Sequence, residues 1–186
     1  PDSEGLLLVM TRLSNILDIN SATQTARLQP GVRNLAISEA VKQHGLFYAP
    51  DPSSQIACSI GGNIAENAGG VHCLKYGLTV HNVLQVSGFT MTGDPITIGN
   101  GGLDNAGLNL LPLIIGSEGM LMVVTEITVK LLPLPSQVEV ILAAFDSIEK
   151  AGQAVSNIIA QGVIPGGLEM MDNNAIRAAE DYAHAG

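Results

Sequence analysis

The alternation of apolar and polar positions predicts several short strands and one early helix. Residues 6–10 form a continuous apolar run, and residues 25–29 end at a Pro-Gly turn signal, so both segments are expected to be strands. Asn34 precedes apolar positions at helical spacing and Gly45 follows them, which predicts a helix capped at both ends.

Three further strands are predicted in the middle of the chain. Residues 83–91 and 96–98 flank the turn-forming sequence Thr-Gly-Asp-Pro and are expected to form a hairpin. Residues 123–132 are rich in β-branched side chains, which favours a strand. Pro133 and Pro135 follow directly and are typical of a boundary between domains.

The pattern after the two prolines predicts a β-α-β-α arrangement. Residues 138–145 and 168–171 are the expected strands. Asp146 is the expected N-cap of the first helix, with Glu149 three residues later as in a capping box, and Asp172 is the expected N-cap of the last helix. We therefore expect two units, residues 1–132 and 136–186, separated by a Pro-rich junction at residues 133–135.

Residues 58–77 read CSIGGNIAENAGGVHCLKYG and show no periodicity. Glycine lets a backbone approach a flat or phosphorylated ligand closely, and Asn63 and Asn67 would add amide groups beside it. Tight turns in a compact domain explain the spacing equally well, because neither a G-x-G-x-x-G nor a Walker pattern occurs. For the Gly-Ser-Glu-Gly sequence at residues 116–119, the spacing alone favours an ordinary connection into a strand.

Composition excludes several classes of function. Hydrophobic residues make up 46% of the 186 residues, which excludes a disordered chain. A net charge of −9 without any basic run argues against binding to nucleic acid or to an anionic membrane surface. Aromatic residues make up 3%, which excludes a base-stacking platform, and no apolar run has the length of a transmembrane segment. Two cysteines and no secretory signal indicate the cytoplasm.

The titratable residues suggest neither a metal site nor a nucleophile. Four histidines are present, but His72 and its neighbour Cys73 would face opposite ways in an extended segment. The G-x-S-x-G nucleophile elbow is absent, and no Ser/His/Asp set follows from spacing. Lys75 and Tyr76 would suit an anionic or aromatic ligand, although a solvated lysine beside a packed tyrosine is the more frequent outcome. We therefore expect no metal within this chain.

Four motifs occur together in one order: YAPDPSS at 48–54, CSIGGNIAENAGG at 58–70, KYG at 75–77 and IGSEGMLMVVTEITVKLLP at 115–133. Together they resemble the FAD-binding domain of the vanillyl-alcohol-oxidase and p-cresol-methylhydroxylase (PCMH) superfamily. The whole chain is similar to the family of FAD-binding subunits of bacterial glycolate oxidase. The resemblance implies an α+β fold, in which the second subdomain of a PCMH-type FAD-binding domain precedes the first β-α-β-α part of an FAD-linked oxidase cap domain.

The resemblance also implies FAD as the cofactor and a set of residues that contact it. The matching positions form a loop beside the flavin, a wall along the isoalloxazine and pyrophosphate, and a segment at the ribose and adenine end. In that order they are Pro50, Pro52 and Ser53; Ser59, Gly61, Gly62, Asn63, Asn67, Gly69, Tyr76 and Gly77; and Glu118, Gly119 and Val124. Free glycine amides facing the pyrophosphate are the expected physical reason for glycine there.

The implied activity is the FAD-dependent oxidation of a small 2-hydroxy acid, glycolate or D-lactate, to the 2-oxo acid. Other glycolate oxidase subunits, FAD-binding and iron–sulfur, are the implied partners, which leaves attachment to the inner membrane through them open. No residue of this sequence is a convincing catalytic base. Two alternatives stay open: a folded module that holds no flavin, and another superfamily enzyme such as a D-2-hydroxyglutarate dehydrogenase or an enolpyruvyl-sugar reductase.

Departures from the family predict a middle portion of a longer protein. The sequence begins with Pro1, and it holds neither the Gly-rich R-G-x-G-T segment that the family places before Leu6 nor the family's late His-rich metal site. We therefore expect these residues alone to bind FAD weakly. Met122 stands where the family usually carries glycine and is expected to disturb a turn, unless it simply fills the core.

Overall fold

The structure, a computed structural model, describes residues 4–102 and 107–184. In chain order its elements are β1 (Ile16–Asn20), β2 (Thr25–Leu28), α1 (Asn34–Val41), β3 (Leu46–Phe47), α2 (Ile60–Glu66), α3 (Cys73–Tyr76), β4 (Val83–Thr90), β5 (Pro95–Gly99), α4 (Leu111–Ile114), β6 (Met122–Lys130), β7 (Leu132–Pro133), α5 (Ile148–Ala160) and α6 (Asn173–Ala183). The fold is thus a mixture of helices and strands, as the sequence predicts.

An antiparallel sheet with the strand order β1-β2-β6-β4-β5 dominates the described part of the chain. The long strand β6 lies at its centre, where Ile127 pairs with Val86 of β4 and Val129 pairs with Ala26 of β2. The strands predicted from residues 25–29, 83–91 and 96–98 are confirmed. The strand predicted over 123–132 is also present, but β6 ends at Lys130, and Leu132 belongs to the separate short strand β7, which pairs with β3.

The hydrophobic core joins this sheet to helices α1, α2 and α4. Leu28, Ile127 and Val129 of the sheet are at most 1% exposed, and Ile37 of α1 and Ile60 of α2 are fully buried against them. Each such side chain contributes about 1.5–3 kcal/mol through removal from water. The packing of these apolar faces therefore holds the sheet and the three helices together.

The first helix ends as predicted but begins differently. Gly45 adopts a left-handed conformation with φ of +68°, as expected for the end of the helical segment. Arg33, not Asn34, is the N-cap residue, and its side chain makes no capping hydrogen bond. Asn34 is instead 1% exposed, and its Nδ2 donates to the Pro50 carbonyl at 2.8 Å. The Asn34 side chain therefore bonds to a distant carbonyl in the core and does not cap the helix.

Two predictions near the sheet are wrong. Residues 6–10 form no strand; Leu6 and Leu7 are 93% and 87% exposed, because no strand in the described residues pairs with this segment. Met122 does not disturb a turn. It opens β6 opposite Thr90 and is only 3% exposed, and its backbone does not have the positive φ that would require glycine. Its flexible side chain therefore fills the core.

The segment after Leu134 contains helices but no paired strands among its described residues. The strands predicted over residues 138–145 and 168–171 are absent, because no neighbouring strand supplies hydrogen bonds. Helix α5 is capped by Ser147, whose Oγ accepts from Lys150 N, and not by Asp146, which pairs with the Lys150 ammonium at 2.7 Å. The cap predicted at Asp172 is confirmed.

Candidate functional site

A cleft of about 320 Å³ opens beside α2. Its walls come from residues that precede β1, from the turn between β2 and α1, from α2 itself, and from the connection of α4 to β6 with the start of β6. This volume lies at the lower end of the roughly 300–1,000 Å³ that is typical of small-molecule sites. The cleft is therefore large enough for one portion of a large cofactor.

Helix α2 arises in a segment whose glycines hide any helical periodicity. Ser59 caps the helix, because its Oγ accepts a hydrogen bond from Gly62 N at 3.3 Å. Asn67 ends the helix in a left-handed conformation with φ of +51°. Ile60 and Ile64 anchor one side of α2 in the core. The sequence analysis missed this helix, although the Ser59 cap and the two isoleucines four residues apart are a signal for it.

The Gly-Ser-Glu-Gly turn at residues 116–119 is docked onto the end of α2. Gly116 N donates to Ile64 O at 2.8 Å, and Glu118 N donates to Ala65 O at 2.9 Å. Three of the four residues have positive φ, namely Gly116 at +92°, Glu118 at +54° and Gly119 at +73°. A left-handed conformation costs an L-residue such as Glu118 roughly 1–2 kcal/mol. The turn thus has a conformation fixed by its contacts with α2, and Ser117 and Gly119 form part of the cleft wall.

Part of the predicted cofactor-binding set lies in this cleft. Ser59, Gly61, Gly62, Gly119 and Val124 all line it, although they come from two separate segments of the chain. The residues of the set that do not line it are Pro50, Pro52, Ser53, Asn63, Asn67, Gly69, Tyr76, Gly77 and Glu118. The structure thus brings the start of α2 and the α4–β6 connection together, and leaves the other predicted segments outside this cleft.

Most glycine amides of the predicted pyrophosphate wall are already hydrogen-bonded within the protein. Gly61 N donates to Pro30 O at 2.8 Å, and Gly77 N donates to Cys73 O at 2.8 Å. Gly62 N donates to Ser59 Oγ at 3.3 Å. The expectation that these amides are free for a phosphate is therefore wrong for this conformation, because local turns and the Pro30 contact use them.

Packing explains some of these glycines and leaves others unexplained. A Cβ on Gly61 would lie 2.6 Å from Pro30 Cβ, and one on Gly69 would lie 2.7 Å from Cys73 Sγ. By contrast, a Cβ on Gly62 would meet only Ser59 Oγ at 3.4 Å, and one on Gly119 would meet nothing within 4 Å. Both of these glycines line the cleft. The missing side chain of Gly62 leaves this part of the wall open, which fits a bulky ligand, whereas the φ of +73° at Gly119 by itself favours glycine.

The asparagines of the predicted set serve the fold. Asn63 is 3% exposed, and its Nδ2 donates to Asn34 Oδ1 at 2.8 Å. Asn34 in turn donates to Pro50 O, so the two amides tie α2 and α1 to the loop at Pro50. Asn67 Oδ1 accepts from Val80 N at 3.0 Å. Their expected role as amide groups beside a ligand is therefore replaced by internal hydrogen bonds.

The loop at residues 48–54 and the wall at residues 69–77 face each other. Pro50 and Pro52 are buried, whereas Ser53 is exposed. Gly70 packs so closely on the Asp51 backbone that any Cβ would overlap the Asp51 carbonyl. Tyr76 is half-buried, and its ring meets the Phe47 ring edge to face with centroids 5.7 Å apart. These contacts join the two segments into one surface.

A histidine–carboxylate pair, which the sequence analysis missed, links the same two segments. His72 Nδ1 lies 2.6 Å from Asp51 Oδ2, and His72 N donates to Asp51 Oδ1 at 3.4 Å. The Asp51 side chain is 17% exposed and the His72 side chain 43%. The two residues are 21 positions apart, so spacing gave no signal; Asp51 belongs to the first motif of the resemblance, and His72 lies between the second and the third.

One buried hydroxyl nearby is strongly perturbed. Burial raises the pKa of Tyr48 far above its ordinary value, while the neighbouring Thr79 hydroxyl opposes the rise. The Tyr48 hydroxyl hydrogen-bonds no described residue, because Thr79 Oγ1 donates to Ala68 O at 2.7 Å. Tyr48 is 2% exposed and is therefore a core residue that stays protonated, not a group available to a ligand.

Residues 4–102 and 107–184 hold neither a metal-binding cluster nor a helix that could cross a membrane. No cluster of three or more His, Cys, Asp or Glu side chains has an arrangement that would hold a metal ion. None of the helices there has the length and apolar character that crossing a membrane requires. Cys58 and Cys73 are both free thiols.

The family match identifies the part of the chain that contains most of the sheet and the glycine wall as a flavoprotein domain. Residues 2–99 match the FAD binding domain family, and residues 134–186 match the C-terminal domain of FAD linked oxidases. The chain belongs to the FAD binding domain family, whose cofactor is FAD. The resemblance that the motifs indicated is thereby confirmed.

Among curated proteins, the chain is similar to glycolate oxidase subunits from two bacteria. It is 67% identical to the glycolate oxidase subunit GlcD of Escherichia coli strain K12 over all 186 residues, and 44% identical to that of Bacillus subtilis strain 168 over 187 aligned positions. It spans 37% and 40% of those two proteins. An alkyldihydroxyacetonephosphate synthase structure matches 85% of this chain and 28% of its own, with a TM-score of 0.71 and 26% identity.

Proposed function

We propose that the protein takes part in the FAD-dependent oxidation of a small 2-hydroxy acid, glycolate or D-lactate, to the corresponding 2-oxo acid. The observation that carries the proposal is the cleft beside α2, in whose wall a Cβ on Gly62 would meet only Ser59 Oγ at 3.4 Å, so that packing does not require glycine there. The similarity of the whole chain to glycolate oxidase subunits supports the choice of substrate class.

The described residues could form one wall of a binding site for FAD. Ser59, Gly61, Gly62, Gly119 and Val124 would contact the cofactor directly, because they line the cleft. The hydrogen bonds and close packing of the other predicted contact residues support a different role for most of them, which is to hold that wall in shape. When bound, FAD supplies the acceptor for the two electrons and the α-hydrogen of the substrate.

The division of the chain supports a cofactor part and the beginning of a substrate part. We infer that residues 1–132 belong to the FAD-binding domain, that residues 133–135 form the junction, and that residues 136–186 begin the cap domain. The buried core ends at Leu131, and Leu134 N still donates to Gly45 O at 2.8 Å. This contact supports a junction at the edge of the first part.

Partner proteins belong to the same proposal. The printed name of the similar proteins is that of a subunit, and we propose that this protein also works with other oxidase subunits, one of them an iron–sulfur protein. Such partners would receive the electrons and would hold the complex in the cytoplasm or at the inner membrane. Co-purification of a tagged protein with proteins that contain iron–sulfur clusters tests this part.

The test of the cofactor site is a matched pair of Gly→Ala substitutions in two helices. Gly62→Ala adds a methyl group to the cleft wall, whereas Gly152→Ala adds one to α5, where a Cβ also meets nothing within 4 Å. Each substitution should stabilise its helix by roughly 0.5–1 kcal/mol, because alanine loses less conformational entropy than glycine on folding. We expect Gly62→Ala to weaken FAD binding about tenfold, which corresponds to about 1.4 kcal/mol, and Gly152→Ala to leave it unchanged.

The measurement is the dissociation constant of FAD from flavin fluorescence, in a protein of the relatives' length that carries these residues. Reduction of its bound flavin by glycolate or D-lactate then tests the activity. Equal dissociation constants for the two variants would contradict the cleft as the FAD site. A protein that stays colourless with added FAD would favour the second candidate, a folded module without flavin, which the internally bonded glycine amides also support.

A further inference from the structure

We propose that Arg33 is the cation that binds the pyrophosphate of FAD at the mouth of the cleft beside α2, together with the hydroxyl of Ser59. The inference rests on the proposed function and deepens it, because it names a binding residue that neither the motifs nor the glycine wall indicated. The pairing of Arg33 with Ser59, the unused donors of both side chains and the uncharged lining of the cleft carry it.

Arg33 and Ser59 lie directly opposite each other in an isolated antiparallel bridge. The amide that follows each of the two residues donates to the carbonyl that precedes the other, at 3.0 and 2.8 Å. This pattern is that of a non-hydrogen-bonded pair, in which the Cα atoms are about 4.5 Å apart and the two side chains lie on the same face. The Arg33 side chain therefore leaves the backbone beside that of Ser59.

The face that the two side chains share points away from the core. Val32 and Asn34, on either side of Arg33, are 3% and 1% exposed, and Ile60 after Ser59 is fully buried. Because successive side chains of an extended segment alternate, Arg33 and Ser59 face the opposite way. Arg33 is exposed, and Ser59 lines the cleft. The pair thus brings a guanidinium side chain to the edge of the cleft.

Both side chains keep donors for a ligand. The Arg33 guanidinium makes no ion pair with residues 4–102 or 107–184, and it does not cap α1, although Arg33 is the N-cap residue. Ser59 Oγ accepts from Gly62 N, and its own O–H donates to no described residue. A guanidinium has several N–H donors in a planar fork that matches the oxygens of a phosphate. The pair can therefore supply hydrogen bonds to an anion.

The cleft lining itself cannot neutralise a pyrophosphate. None of the described residues that line the cleft has a charged side chain, and the Gly61 and Gly62 amides donate within the protein. The net charge of −9 repels an anionic ligand. The uncharged cleft suits the neutral parts of the cofactor, whereas the anionic pyrophosphate needs a cation beside it. Arg33 supplies that cation at the edge of the cleft.

The test compares Arg33→Gln and Arg33→Lys with Arg177→Gln in a protein of the relatives' length. Arg177 is exposed on α6 and serves as the matched control for the loss of one positive charge. We expect Arg33→Gln to weaken FAD binding about tenfold to a hundredfold, as the loss of a hydrogen bond to a charged group does. Arg33→Lys should recover part of the loss, because it restores the charge without the planar fork. Arg177→Gln should leave the dissociation constant unchanged.

Salt and the charge of the ligand provide readouts that a purely structural role of Arg33 would not change. Sodium chloride should weaken FAD binding to the unchanged protein more than to Arg33→Gln, because salt screens the attraction between opposite charges. Riboflavin, which lacks the pyrophosphate, should bind equally to both. Flavin fluorescence measures the dissociation constants, and circular dichroism checks that each variant is folded.

Three results would overturn the inference. The first is an unchanged dissociation constant of FAD in Arg33→Gln; if Gly62→Ala weakens FAD binding in the same experiments, the cleft stays the proposed FAD site and only this inference fails. The second is an equal loss of affinity for FAD and riboflavin, which would mean that Arg33 shapes the cleft. The third is a raised KM for glycolate with unchanged FAD binding, which would assign Arg33 to the substrate carboxylate. If the unchanged protein binds no FAD, the proposed function fails and this inference fails with it.

Discussion

The segments before and after Leu134 contain similar apolar residues but use them in opposite ways. Before it, Ile127 and Val129 are 1% and 0% exposed at the centre of the sheet. After it, Val140 and Ile141 are each 90% exposed, and none of the described residues there is buried. A β-branched run therefore becomes a strand and a core only where other strands and helices pack on both of its sides.

The two regions also differ in the bonds that stabilise them. The first is held by pairings between distant segments, such as β2 with β6 and the Asn34–Asn63 amides. The second is stabilised by contacts within a single helical turn, such as the Ser147 and Asp172 caps and the Asp146–Lys150 ion pair. Exposed ion pairs of this kind contribute only about 0.3–0.5 kcal/mol. Most of the stability of the chain thus lies before Leu134.

The largest expected difference between the regions comes from matched isoleucine truncations. Ile127→Ala removes a side chain that is 1% exposed, and we expect it to lower the free energy of unfolding by about 2–5 kcal/mol. Ile141→Ala removes one that is 90% exposed and should change it by less than about 0.5 kcal/mol. Urea unfolding followed by circular dichroism measures both. Equal losses would show that residue 141 is packed in solution.

An intermediate effect on the free energy of unfolding is expected from alkaline pH, through the buried Tyr48 of the first region. Because burial raises the pKa of Tyr48 above the ordinary value of 10.0, the unfolded chain loses its tyrosine proton first as the pH rises. The free energy of unfolding should therefore fall by about 1.4 kcal/mol per pH unit above pH 10 through this residue. This stabilising difference is complete below pH 10 and is lost progressively above it.

The matched variants are Tyr48→Phe and Tyr182→Phe, since Tyr182 is 91% exposed. We expect Tyr48→Phe to make the decline above pH 10 shallower and Tyr182→Phe to leave it unchanged. Urea unfolding at several pH values between 8 and about 11.5 provides the slopes. A slope that is the same in Tyr48→Phe and in the unchanged protein would mean that the hydroxyl ionises in the folded state.

The smallest expected effect is that of a helix cap in the second region. Asp172→Ala removes the carboxylate that accepts from Ala175 N at 2.7 Å, and we expect it to destabilise α6 by about 1 kcal/mol. Asp181→Ala removes the same charge from within α6 without touching a cap and should not destabilise the helix. Amide hydrogen exchange of α6 and β6 is the measurement. Faster exchange in β6 as well would contradict the separate stabilisation of the two regions.

Local signals in the sequence predicted the elements that depend on neighbouring residues. The left-handed Gly45, the Asp172 cap and the β4–β5 hairpin all follow from side chains within a few positions of one another. Helix α2 escaped prediction because its glycines weaken the pattern, while Ser59 and two core contacts form it nonetheless. Nearby side chains therefore predict an element correctly where no distant residue competes for the same hydrogen bonds.

The candidate site was only partly predictable for the same reason. The motifs indicated Ser59, Gly62 and Gly119, and the structure brings them to one cleft. The motifs did not indicate that the Gly61 amide is occupied by Pro30, or that Asp51 holds His72. These relations join residues far apart in the chain, and spacing within one motif carries no information about them.

The sequence by itself determined the turns, the helix caps, the presence of a glycine-lined segment and the family to which that segment belongs. Only the tertiary structure decided which β-branched runs became strands, which glycines pack against backbone and which face an open cleft, and which histidine gained a carboxylate. The physical reason is the distance along the chain between the residues that interact. Caps and turns are satisfied within a few residues, whereas a strand, a packed glycine or an oriented imidazole needs a partner that only folding brings near.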